Sequence, residues 1–453
     1  MDRLTAARAQ MEVSLGFHMV FAALGIGMPL LMVIAEGMWL RTSAPHYRDL
    51  ARKWGKVTAL LFAIGAVSGT ALSFELGLLW PRFMELAGGA IGPAFALEGY
   101  AFFIEAIFVG LYLFGWDRLS PRAHWLCGIP VAVSGMLSGA LVVAANAWMQ
   151  VPVGVRIENG RLVDADAMAA FESPMWPVMS IHSTLSCYIA VGFAVAGVYA
   201  FGVLRGKRDE YHRKGIDIGL GVAAVAAALQ LVSGHASAQA VADHEPVKLA
   251  AMEAHFVTSR GVPIVLGGIP DGDTGEVKWA LRIPKALSLL ATNDPDAELR
   301  GLDDFPKDER PNVLVTHLAF DTMVGCGFTL FGVGSFFWLR RLWRWRRRSP
   351  IAFEPKALLR LVVLVSPLGF VALEAGWIVT EVGRQPWIVR GVMRTRDAVT
   401  PVASVPVSFV AFTILYVLLA VVLVALLRYL ASGKSVRAED AATSGPSESN
   451  HGA

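Results

Sequence analysis

EVSLGFHMVFAALGIGMPLLMVIAEGMW, residues 12–39, is an apolar run long enough to cross a bilayer, whose roughly 30 Å of hydrocarbon takes about 20 helical residues. It follows Arg3 and Arg8, as the core of a secretory signal would. Its apolar length exceeds the roughly 7–15 residues of such a core, however, and no convincing cleavage site follows. The run therefore reads as a retained membrane helix, and His18 inside it is an ionisable side chain where lipid disfavours one.

The pattern recurs along the whole chain. Of its 453 residues 55% are hydrophobic and 17% charged, a balance that excludes an ordinary soluble protein. Further apolar runs fall at about 54–79, 93–115, 123–147, 177–203, 215–236, 311–338, 357–379 and 405–430. The expected fold is all-α and polytopic, with about nine spans arranged as two four-helix bundles and one peripheral helix. Six spans occupy 1–236, a long connection 237–310 and three spans 311–430; the polar tail 431–453 reads as disordered. Cys127, Cys187 and Cys326 all fall inside spans, which points to packing rather than to a disulfide framework or zinc site.

Lys and Arg concentrate at 40–53, 204–214 and 339–356 and alternate with poorer connections, so these mark the cytoplasmic side. The N-terminus is then outside and the C-terminus cytoplasmic. The connection 237–310 lies outside and carries turn signals such as IPDGDTGE. The outer loop 380–404 holds Arg384, Arg390, Arg394 and Arg396 against the charge rule, and these arginines need anionic partners.

Ionisable residues within spans mark a site by default. They are His18, Glu75, Glu98, Glu105, His182, Asp321 and Glu374, with His235 and His317 nearer helix ends. Alternating helix directions bring His18, Glu98, His182 and Glu374 to one depth near the outer surface, as ligands and proton groups around a buried cofactor layer would be. Imidazole and thioether suit a six-coordinate haem iron, with His182 and Met323 as the candidate pair, while a haem with one protein ligand keeps a face open for dioxygen, and His18 and Glu374 could each supply that ligand. Glu98 and Glu105, seven residues apart, share a helix face about 10 Å apart in depth, a step a water-bridged proton could take. A lone intramembrane histidine is as often an interhelical hydrogen-bond partner, and methionine is usually packing.

Taken in order, GFHMVFAALGIGM around His18, ALEGYAFFIEAIFVGLYLFGWDRL around Glu98 and Glu105, VAANAWMQVP, SIHSTLSCY around His182, KLAAMEAHF, AFDTMVGCGF around Met323 and EAGWIVTEVGRQPW around Glu374 form a set that resembles subunit I of the cytochrome bd quinol oxidases, the match running from the first span to the ninth. The resemblance implies two haem b groups, one low-spin and one high-spin, and a haem d, or a third haem b in its place. His182 and Met323 would ligate the low-spin haem, and His18 and Glu374 the two high-spin ones; which of these His18 serves is left open, haem d being the first candidate. Glu98 would lie beside the dioxygen-binding haem, with Glu105 on the inward proton route. Lys248 and Glu253 match quinol-oxidation residues in the family's quinol loop, Trp377 would wall a macrocycle, and Arg384 would pair with haem propionates.

The implied partners are a second large subunit, a small single-helix accessory subunit, ubiquinol or menaquinol, dioxygen and the lipid of a bacterial cytoplasmic membrane, with no nucleic acid. The sequence departs from the family at Asp321, where many relatives carry Arg, at Ser73 and Glu75, in the shorter Glu98–Glu105 spacing, and at Glu245-Pro246; its quinol loop is of the short kind, and a cyanide-insensitive branch fits these changes. Two other readings compete: a haem-free transporter coupled to protons or cations through Glu75, Glu98, Glu105 and Glu374, and a quinol-oxidising cytochrome b that does not reduce dioxygen.

Overall fold

A computed structural model describes residues 1–158, 161–347 and 354–431. Among them are nine helices long and apolar enough to cross a membrane: Arg3–Thr42, Pro45–Leu79, Pro81–Phe114, Pro121–Gln150, Met175–Leu204, Glu210–His244, Val313–Arg346, Lys356–Arg384 and Val405–Tyr429. They match the nine expected runs one for one and are numbered here as the first to ninth spans. The tail expected to be disordered lies outside the described residues from 432 onward.

Local sequence starts these helices in a consistent way. Asp2, Ser120, Asp209 and Asn312 cap the first, fourth, sixth and seventh spans by accepting a backbone N–H with their side chains. Pro45, Pro81 and Pro121 occupy first-turn positions, where the missing N–H costs nothing. Pro367 has the opposite effect: it divides the eighth span into Lys356–Val365 and Leu368–Arg384, because its ring removes a helical hydrogen bond and clashes with the preceding turn.

The first four spans pack on one another, as do the fifth to eighth, and the two groups meet where the first and fourth spans lie against the fifth. The ninth touches the first and second and is otherwise little buried. Between the fifth and sixth spans the backbones come very close. A Cβ added at Gly192 would lie 2.6 Å from the Gly219 carbonyl oxygen, and one at Gly219 would lie 2.7 Å from that of Gly192, so only glycine admits the contact.

Several helices run beyond the expected apolar runs, the third starting at Pro81 where the run begins at 93. The sixth span continues past 236 to His244, so the long connection begins at Glu245, because loss of hydropathy marks the end of lipid and not the end of a helix-forming, alanine-rich segment. The connection 245–312 is folded. It contains the short helix Pro246–Met252 and three small antiparallel pairings, including Ile269–Asp271 with Glu276–Lys278 around the expected turn. Leu249, Met252, Val262, Leu287 and Leu299 seat it on Met175, Val241, Ala319 and Val379 at the ends of four spans. A hairpin pairing Val155–Glu158 with Arg161–Ala165 was not anticipated.

Candidate functional site

A cavity of about 480 Å³ opens between the two groups of spans, lined by His18, Glu98, Glu105, Asn146, Trp377 and Arg384 among many apolar residues. Four spans, the first, third, fourth and eighth, therefore deliver chemically active side chains to one space. Ser68 of the second span lies 3.0 Å from His18 Nδ1, which leaves Nε2 as the ring's remaining ligand atom. Glu98 accepts from Ser138 Oγ at 3.1 Å, and Glu105, 5% exposed, faces Gly135, where an added Cβ would come within 3.3 Å of its carboxylate.

Glu374 and Met323 stand at the same level on neighbouring helices. A Cβ at Gly16, two residues before His18, would lie 3.6 Å from Glu374 Oε2, and one at Gly376 would lie 3.0 Å from Met323 Sδ. Glu374 Oε1 is buried without a hydrogen-bond partner. His182 is held separately by the sixth span: its Nδ1 is 3.0 Å from Ser233 Oγ, and the Gln230 side-chain amide donates to its Nε2 at 3.0 Å. That pattern assigns the proton to Nδ1 and a lone pair to Nε2, the tautomer a metal ligand needs. Ser183 and Thr184, next to His182, line the cavity.

A second cluster lies where the long connection meets the spans. Lys248, 4% exposed, donates to Gln150 Oε1 at 2.5 Å and pairs with Glu245 at 2.7 Å, and Arg390 approaches the same carboxylate at 3.3 Å. Burial lowers the Lys248 pKa against the opposing pull of Glu245. Glu253, 2% exposed, has Oε2 without a partner. Burial, with the charge of Asp321, pushes its carboxyl up to about 8.

The two clusters are joined by an unbroken polar chain. Gln150 accepts from Lys248 and donates to Asn146 Oδ1 at 3.2 Å; Asn146 donates to Glu381 Oε1 at 2.5 Å; Arg384 donates to Glu381 Oε2 at 2.5 Å. Arg384 is 5% exposed, and its Nε and Nη1 are buried without partners. The arginines of 380–404 have acidic partners: Glu381 for Arg384, Glu245 for Arg390, Asp308 for Arg394 and Asp397 for Arg396. Asp321 points its carboxylate at the Gly267 N–H, 2.8 Å away, so it supports the long connection. Ser68, Ser233, Gln230 and Gln150 were not found from the sequence. They reach their partners from other helices, and no spacing in the chain announces such pairs.

The family model for cytochrome bd terminal oxidase subunit I matches residues 6–435. The chain belongs to that family. A Bacillus subtilis (strain 168) protein named as a cytochrome bd menaquinol oxidase subunit I is 36% identical over 95% of this chain and 96% of its own length. The cytochrome bd ubiquinol oxidase subunit 1 of the same organism is 32% identical over 94% and 92%. A solved structure of bd oxidase from Geobacillus thermodenitrificans superposes with a TM-score of 0.89 at 38% identity, covering 95% of this chain and 98% of that one.

The buried Lys248–Glu245 pair can be tested on its own. Glu245→Leu strands a buried ammonium and should destabilise the protein by about 3 kcal/mol, while the double replacement Glu245→Leu/Lys248→Met should recover most of that loss. Thermal unfolding of the purified variants measures both.

Proposed function

We propose that this chain is the quinol-oxidising and dioxygen-reducing subunit of a terminal respiratory oxidase. The observation that carries the reading is the cavity shared by His18, Glu98, Glu105, Trp377 and Arg384, with the buried Glu374 carboxylate, one oxygen of it orphaned, beside Gly16 of the first span. The donor set fits haem. His182 and Met323 would hold a low-spin haem b, and His18 and Glu374 would each hold one high-spin haem, with haem d, or a third haem b, at the dioxygen site. Bound there, haem iron would supply electron transfer and the reduction of dioxygen to water.

The protein's own groups account for substrate and protons. The Lys248 ammonium offers a donor to a quinol oxygen, and the unpartnered oxygen of Glu253 can accept a hydroxyl proton. The partnerless N–H groups of Arg384 suit a propionate, since guanidinium binds carboxylate through parallel donors. Glu105 and Glu98 hold protons on the path into the cavity, and Trp377 walls it against water.

Positive charge on the connections at 40–53 and 204–214 supports an external N-terminus and a cytoplasmic C-terminus in a bacterial cytoplasmic membrane. Quinol protons would then leave on the outer side while protons for water come from the cytoplasm, so charge crosses the membrane without a pump. Exposed Phe74, Tyr100, Phe103 and Phe114 on the second and third spans offer an apolar face to a second large subunit, an accessory helix or lipid. Family membership favours the oxidase over a haem-free transporter. Oxygen uptake driven by ubiquinol or menaquinol separates it from a cytochrome that passes electrons elsewhere.

Replacing His182 with Ala should abolish the low-spin haem signal and leave a high-spin signal, and an unchanged low-spin spectrum would remove that ligand assignment. The pH profile tests Glu253. Because its carboxyl titrates at about 8, it is protonated and unable to accept a proton below that value. Quinol oxidation should therefore rise as pH increases through about 8, and Glu253→Gln should flatten that limb with haem content intact. A profile unchanged by the substitution would contradict the role.

A further inference from the structure

His317 is fully buried near the start of the seventh span, and both of its ring nitrogens face oxygen atoms of the long connection. Nδ1 lies 2.7 Å from the Met252 carbonyl, and Nε2 lies 3.1 Å from the Gly267 carbonyl and 3.3 Å from Asp321 Oδ2. The ring therefore bridges two separate segments of the connection through its two nitrogens, with Asp321 beside it on the Gly267 side. Asp321 in turn accepts the Gly267 N–H at 2.8 Å, so the pair grips both backbone groups of a single residue.

The gripped points bracket Glu253. Met252 is its immediate neighbour, and the residue after it, Ala254, has φ +46°, a left-handed conformation that a side chain disfavours and that persists only where neighbouring contacts impose it. Gly267, with φ +65°, follows the strand Ile264–Leu266, whose Val265 N–H donates to the Glu253 carboxylate. One side of the Glu253 pocket is therefore tied to His317 through Met252, and the other to His317 and Asp321 through Gly267.

We infer that His317 and Asp321 are positioning residues for quinol oxidation, a clamp from the seventh span that fixes the loop around Glu253 in its working geometry. The inference rests on the assignment of Lys248 and Glu253 to quinol, and it predicts an effect on substrate engagement rather than on the electron path beyond it. Loss of the buried hydrogen bonds is expected to raise KM for quinol more than it lowers kcat.

The test uses the purified oxidase complex carrying His317→Phe, which keeps a ring and removes the donors, and Asp321→Asn, which keeps an acceptor for Gly267 and removes the charge. For His317→Phe the quinol KM should rise about tenfold, with the low-spin haem spectrum and oxygen uptake from an artificial donor that reduces the haems directly both unchanged. Trypsin should cut faster at Arg260, Lys278, Arg282 and Lys285 of the connection. Asp321→Asn should shift both readings in the same direction by less. Wild-type KM in His317→Phe overturns the positioning role, and wild-type cleavage in both variants overturns the clamp. Unaltered quinol turnover in Lys248→Ala would instead remove the underlying quinol assignment, and the cleavage rates would still report on the clamp independently.

Discussion

A polar or ionisable group surrounded by hydrocarbon and packed side chains must find a partner, because leaving it unbonded costs on the order of a few kcal/mol. The interior of this protein is organised by that requirement. His18 is bonded to Ser68, His182 to Ser233 and Gln230, and Glu98 to Ser138. Unpartnered buried atoms occur elsewhere too, at Glu36, Glu75 and Tyr112 among others, but four of them bear on the site: Glu374 Oε1, Glu253 Oε2, and Arg384 Nε and Nη1. They belong to the cavity level and to the loop site, where haem and quinol are proposed to bind.

The same requirement explains how the two sites communicate. Lys248, Gln150, Asn146, Glu381 and Arg384 form a continuous hydrogen-bonded chain from the loop to the cavity wall. Gly383 permits it, since a Cβ there would lie 3.0 Å from the Lys248 side chain. The C-terminal end of the eighth span is thus the common boundary of both sites. Charge at Lys248 and charge at Arg384 act on each other across it, and Arg384 contributes to the lowered Lys248 pKa.

Much of the architecture could be read from the chain because hydrocarbon thickness imposes a length on each apolar run, and each of the nine runs corresponds to one long helix among the described residues. What hydropathy could not show was helix beyond the apolar run, such as the extension of the sixth span to His244, or the pairing of strand Val155–Glu158 with Arg161–Ala165. In the site, the side chains with unusual chemistry were visible by their type and setting, as His18, Glu98 and Glu374 were. Their supports were not visible: Ser68 and Ser233 are ordinary serines until the fold places them against a histidine. Asp321 was noticed as a departure from the family pattern, but its bond to Gly267, fifty-four positions earlier, exists only in three dimensions.

The central claim is that iron porphyrins are held at one level of the membrane by side chains from several helices. Haem extraction combined with the reduced-minus-oxidised spectrum of the purified oxidase tests it most directly. The account predicts bound haem of both low-spin and high-spin type, with the porphyrin at the dioxygen site identified by the extract as haem d or haem b. Purified, folded protein that yields no haem would contradict it.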